Sequence, residues 1–155
     1  MLDELDLTIL RILQENGRTK RSELAEAIGL SIPSLSDRLK KLEDHKIIEG
    51  YFTKLNRHAF GYDLMAFVTV IMESSKYYEK FAEHIKKNPE ILECYSTLGE
   101  GSHVLKVLAK DTKTLESLLS KIQSWQGVTR TVTSFVLSVI KETTSLNIQS
   151  KKESE

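Results

Sequence analysis

Residues 19–42 read TKRSELAEAIGLSIPSLSDRLKKL, and their punctuation decides the fold of the first third of the chain. Leu24, Ala25 and Ile28 recur at helical spacing, and Gly29 stops that helix, because only glycine takes a left-handed C-terminal position at no steric cost. Thr19 is the expected N-cap of this segment. Ser31 then caps the next helix. Pro33 falls in its first turn, where a missing N–H is harmless. A glycine-terminated helix, a two-residue link and a freshly capped helix are the sequence form of a helix-turn-helix. On a helical wheel Ile32, Leu35, Leu39 and Leu42 form the buried stripe of the later helix, which is expected to run to about His45. Pro33, Ser34, Asp37, Lys40 and Lys41 lie on the outer face, with Ser36 and Arg38 on the flanks.

Upstream, residues 2–16 carry Leu2, Leu5, Ile9, Ile12 and Leu13 on one face, with Asp3 as a cap and Asn16-Gly17 as a stop. Downstream, residues 47–53 (IIEGYFT) have strand residues interrupted by glycine and fit a short hairpin wing. The third helix then has the layout of a DNA-recognition helix, with small hydroxyl residues at its start and cations further along. The plainer alternative is an amphipathic helix whose charged face is merely solvated. The candidate DNA-binding residues are Arg18, Lys20, Arg21, Ser31, Pro33, Ser34, Ser36, Asp37, Arg38, Lys40 and Lys41, with Lys54 and Arg57 as further backbone contacts. Net charge is +0, from 22 basic and 22 acidic residues. Between Arg18 and Arg57 there are nine basic and six acidic residues. This small local excess matters more than the overall balance, since phosphates are met locally.

The second half of the chain changes period. Residues 54–62 (KLNRHAFGY) read as a linker. Residues 64–72 are strand-like and apolar on both faces. Tyr78, Phe81, Ala82 and Ile85 mark a helix. Residues 91–98 and 103–109 are strands around the turn Gly99-Glu100-Gly101. Asp111 or Thr112 caps a helix bearing Leu115, Leu118, Leu119 and Ile122, closed by Trp125, and residues 128–140 form a long last strand. The order βαββαβ predicts an α+β chain: an N-terminal winged helix-turn-helix over 1–53, then a C-terminal ferredoxin-like domain over 63–146. Residues 147–155 are expected to be a frayed tail. The last strand is apolar on both faces, so one sheet face is left uncovered by the two helices, and a homodimer packing sheet to sheet is the simplest cover.

Several classes are argued against. The 40% hydrophobic and 28% charged composition is that of a globular chain. No stretch reaches membrane-spanning length, and the acidic start is unlike a signal peptide, so a cytoplasmic protein is expected. Cys94 stands alone in an apolar run and is expected to be a buried thiol. The histidines at 45, 58, 84 and 103 lack metal-ligand spacing, so neither a metal nor a cofactor is expected. No assembled catalytic set or phosphate loop is present, so the chain is not expected to be an enzyme.

On the segments LDELDLTILRILQENGR (2–18), SELAEAIGLS (22–31), SLSDRLKKLE (34–43), IIEGY (47–51), STLGEGSHVLKV (96–107) and GVTRTVTSFVLSVIKETTSL (127–146), the chain resembles the Lrp/AsnC, or feast/famine, family of transcriptional regulators. The resemblance spans residues 2–146. It implies binding to double-stranded DNA, dimers that associate into octamers, and a small-molecule effector such as an amino acid held where subunits meet. The effector-binding loop is carried over onto Leu98, Gly99, Glu100, Gly101 and Ser102, with Thr131, Thr133 and Ser134 of the last strand as neighbours. The family loop has aspartate and an aromatic residue where Ser102 and His103 stand here. A serine brings a hydrogen bond but no charge to a ligand ammonium, and Glu100 is the nearby carboxylate able to substitute. Siroheme decarboxylases share this architecture with a histidine-containing motif, but the corresponding strand, YDLMAFVTVIME (62–73), has no histidine. An effector-binding adaptor without DNA contact is the other alternative.

Overall fold

The computed structural model describes residues 2–149. They divide into two compact units. One comprises residues 2–54 together with 141–149, and the other residues 55–140.

The first unit is helical. Helix α1 (Glu4–Glu15) begins with a capping box: the Asp3 carboxylate accepts from the Asp6 N–H, and the Asp6 carboxylate accepts from the Asp3 N–H. Helix α2 (Arg21–Ile28) ends at Gly29, whose φ of 69° is the left-handed cap read from the sequence. Its start differs. Lys20 holds the cap position and no side chain caps the helix, because the Thr19 hydroxyl donates back to the Asn16 carbonyl. Helix α3 (Ile32–Asp44) starts at Ser31, whose Oγ accepts from the Ser34 N–H. Ile9, Leu10, Leu24, Ala25, Leu35, Leu39 and Leu42 form the core. Ile32, expected in the buried stripe, is half exposed at 49%, because it is the first residue of the helix and projects past the end of the stripe.

Among the described residues no hairpin follows α3. The Ile47 and Ile48 N–H groups both donate to the Leu42 carbonyl. The residues that would start the first strand are thus spent closing the helix, and Lys46 turns the chain with a φ of 57°. Residues 49–56 carry no helix or strand and have no ladder partner among the described residues.

Residues 147 and 148, expected to fray, instead return to α1 together with Leu146. The Gln14 amide accepts from the Leu146 N–H (2.6 Å) and donates to its carbonyl (3.1 Å), as a neighbouring strand would. Arg11 Nε donates to the Ile148 carbonyl, and Ile148 packs on the helical core. Residues 150–155 of the predicted tail lie outside the described residues.

The second unit is a four-stranded antiparallel sheet in the order β2-β3-β1-β4, made of β1 (Leu64–Met72), β2 (Ile91–Ser96), β3 (His103–Ala109) and β4 (Val128–Phe135). Helices α4 (Tyr78–Lys86) and α5 (Thr112–Gln123) complete the βαββαβ order. Ala66, Val68, Val70, Leu105 and Val107 meet Phe81, Leu115, Leu118, Ile122 and Trp125 in one core. Strand β4 ends at Phe135 rather than residue 140, because its partner β1 runs out. The Val136 N–H makes a bond to the Met65 carbonyl, one residue from the start of β1. Cys94 is exposed, not buried; its strand β2 is a sheet edge whose burial ends after Ile91.

Candidate DNA-reading helix and effector loop

The two predicted site groups fall in different units. In the helical unit, α3 buries Leu35, Leu39 and Leu42, so Ser34, Asp37, Lys40 and Lys41 are left exposed. The start of α3 is locally ordered. The hydroxyls of Ser31 and Ser34 are 2.9 Å apart, and the Ser31 oxygen also takes the Ser34 N–H. Pro33 is exposed in the first turn. Arg21 at the start of α2 donates to Ser36 Oγ at 3.3 Å, joining the two helices on their polar side. Lys20 is highly exposed and lies 3.6 Å from Glu23, a contact of small worth in water. Among the described residues, the side chains of Arg18, Lys40 and Lys41 make no ion pair with the protein. They are therefore available to meet phosphate.

Arg38 differs from these. Its Nη1 donates to Asp3 Oδ2 at 2.7 Å and to Asp6 Oδ1 at 2.8 Å. The backbone N–H of Asp6 and then the Arg38 guanidinium hold the Asp3 carboxyl below its usual range. The sequence shows Asp3 and Asp6 as a helix cap, a local pattern. Nothing local shows that a residue 32 positions further on completes it. Lys54 and Arg57 are also engaged, Lys54 with Glu142 and Arg57 with the Tyr62 carbonyl.

In the second unit the turn between β2 and β3 is built by two glycines. Gly99 has a φ of 129°, in the region that disfavours side chains. At Gly101 an added Cβ lies only 2.3 Å from Thr69 Cγ2, so a side chain there requires the Thr69 side chain to shift. Ser102 is tied into the sheet through three atoms. Its N–H donates to the Val70 carbonyl, its carbonyl accepts from the Thr97 N–H, and its Oγ accepts from the Met72 N–H at 3.0 Å. That hydroxyl fills a gap in the ladder beside the irregularity at Ile71/Met72. Leu98, Gly99 and Glu100 stand exposed at the tip.

The strand residues predicted beside the loop are not gathered with it. Thr131 and Thr133 lie opposite Val70 and Val68, on the helix-covered side of the sheet, whereas Ser134 lies opposite Phe67 on the open side. Thr131 Oγ1 already accepts from Gln123. Strand β1 lies between the loop and β4, a separation of about 10 Å at ordinary strand spacing. His103 turns into the core against Tyr78 and Phe81, with ring centroids 4.7 Å away in each case. It is 6% exposed, and its Nδ1 has no hydrogen-bond partner among the described residues. Burial pushes its pKa down.

These two constellations match known families in the same order along the chain. Residues 2–49 match a winged helix-turn-helix DNA-binding family, and residues 65–146 match the Lrp/AsnC ligand binding domain. The chain belongs to the Lrp/AsnC family. Its relatives include the HTH-type transcriptional regulator FL11 of Pyrococcus furiosus, 34% identical over 96% of this chain and 98% of that one. Among solved structures, the L-Met complex of transcriptional regulator NMB0573 from Neisseria meningitidis is 37% identical with a TM-score of 0.88, covering 94% and 96% of the two chains. The AsnC structure from E. coli has a TM-score of 0.85 at 31% identity, covering 94% of this chain and 98% of that one. As a member of this Lrp/AsnC group, the chain is a DNA-binding transcriptional regulator of winged helix-turn-helix and α+β ligand-binding architecture, modulated by an effector.

Proposed function

We propose that α3 reads the major groove of double-stranded DNA, with Ser34, Lys40 and Lys41 facing the duplex and Arg18, Lys20 and Arg21 on its backbone. The observation that carries this is the outer face of α3. Its capped, hydroxyl-bearing N-terminus suits phosphate, and Lys40 and Lys41 are exposed with no ion pair among the described residues. Two copies joined through the second unit enter successive major grooves, about 34 Å apart, on a pseudo-palindromic site. The open sheet face supports such a dimer, since Phe67, Tyr95 and Val132 are about half exposed there. Association into an octamer is a further expectation carried by the family. The effector is a small amino acid or a relative of one, received at the tip of the 98–102 loop where subunits meet. This is supported by relatives such as NMB0573, solved with L-Met. With Ser102 committed to the sheet, Glu100 is the charged group left in the loop for a ligand ammonium.

The decisive test uses the full chain and a duplex selected by it from a random library. Fluorescence anisotropy over a salt series is expected to show the Lys40→Ala, Lys41→Ala variant with weaker binding and a salt slope about one to two units shallower. Unchanged affinity and slope sink α3 as the reader. Sedimentation of the wild type against Val132→Asp checks the dimer, and titration with single amino acids, followed by the change in DNA affinity, identifies the effector.

A further inference from the structure

We propose that Arg38 is not a DNA contact but the positioning residue of the reading helix, holding α3 to the start of α1 through the carboxylates of Asp3 and Asp6.

The four carboxylate oxygens of this pair are all spent, each on a different bond. Asp3 Oδ1 takes the Asp6 N–H and Asp6 Oδ2 takes the Asp3 N–H, which closes the capping box. The two remaining oxygens, Asp3 Oδ2 and Asp6 Oδ1, both take Arg38 Nη1. The anchor is therefore defined by backbone: Asp3 is the N-cap of α1, and its carboxylate cannot turn without breaking the cap. Arg38 lies three residues after Leu35 and four before Leu42, on the rim of the buried stripe of α3. Apolar side chains resist separation of two helices but tolerate rotation and sliding, because the hydrophobic effect is non-directional. A charge-assisted bond to a capped helix end fixes both.

Electrostatics keep Arg38 in place. Two carboxylates within one turn are favoured by the α1 dipole but repel each other. The guanidinium between them removes that repulsion. Moving it to a phosphate exchanges two short bonds for one partner and leaves Asp6, only 14% exposed, without its cation. The side chain of Arg38 is itself 29% exposed, while Arg18, Lys40 and Lys41 are exposed. The unit thus supplies phosphate-binding cations from other positions.

The inference rests on α3 being the reading helix, and the lysine variant above tests that separately. Arg38 itself is tested with full-length Arg38→Met and, as a neutral side chain that still donates hydrogen bonds, Arg38→Gln. Folding of each is checked by circular dichroism. A positioning residue affects discrimination: affinity for the selected duplex is expected to fall about tenfold or more, affinity for a random duplex by less than about threefold, with the salt slope unchanged. Asp6→Asn is expected to shift discrimination the same way, although it removes a negative charge. Equal loss on both duplexes with a slope about one unit shallower, or tighter binding to the selected duplex by Asp6→Asn, overturns the proposal and returns Arg38 to the phosphate backbone.

Discussion

The starts of α2 and α5 present the same structural problem and solve it differently. Both helices leave N–H groups unpaired at their first turn. In the second unit Asp111 answers with a cap: its carboxylate accepts from the Thr114 N–H and hydroxyl at 2.7 Å, and the first of these bonds lowers its pKa. In the helical unit the corresponding position of α2 is Lys20, with no capping bond. A cation there is unfavourable to the helix dipole but points positive charge outward beside Arg18 and Arg21. The helical unit gives up local stability where its surface is proposed to meet DNA. The sheet unit, which carries the ligand-binding fold, caps α5 with Asp111, whereas α4 follows Tyr77 with no side-chain cap.

That contrast extends to the cores, and the largest expected effect tests whether the two cores are separate. Leu35→Ala and Leu105→Ala each empty a site that is 0% exposed, at about 2–5 kcal/mol. Amide hydrogen exchange is expected to show protection lost within the unit carrying the substitution. Loss spread evenly over both units breaks the division. Ending the chain after Ser145 comes next. It removes Ile148 from the helical core and frees Gln14 and Arg11. The α1 amides are expected to exchange faster, by about 1–3 kcal/mol of local stability. Unchanged exchange means the segment is only draped over α1.

His103 adds a pH effect. Its folded pKa is lowered from 6.5 by burial, so below about pH 6.5 the unfolded chain binds the proton first. Stability is then lost as pH falls, by at most about 1.4 kcal/mol per pH unit. Denaturation at pH 7.5 and 5.5 is expected to show a drop in the wild type that shrinks in His103→Phe. The smallest effects sharpen the cap comparison itself. Asp111→Ala is expected to cost about 1 kcal/mol. Lys20→Asp is expected to stabilise α2 by about 0.5–1 kcal/mol while weakening DNA binding. A Lys20→Asp variant that binds DNA as tightly as the wild type removes the functional reason for the missing cap.

Much of this was legible in the chain. Gly29, Ser31 and Pro33 mark the turn by local backbone preference. The period of residues 64–72 and 103–109 gave strands with matching bounds. The misreadings share a cause. Residues 47–53 have strand propensity, yet Ile47 and Ile48 are claimed by the Leu42 carbonyl. Residues 136–140 continue an apolar alternation, yet β1 offers no backbone to pair with. Thr131, Thr133 and Ser134 are close in sequence, but Ser134 lies on the opposite sheet face from the two threonines, and Thr131 is already bonded to Gln123.

The sequence by itself determined the elements, their caps and their order, because helix period, glycine stops and N-cap side chains act over three or four residues. Only the tertiary structure decided which cations are free. Arg38 and Lys41 look alike along α3, yet one closes on Asp3 and Asp6 of α1 while the other stays in solvent. The same holds for Ile148, polar-flanked and near the chain end, which finds α1 more than 130 residues away in sequence. Such contacts depend on which surfaces folding brings within hydrogen-bond reach, and no local pattern encodes that distance.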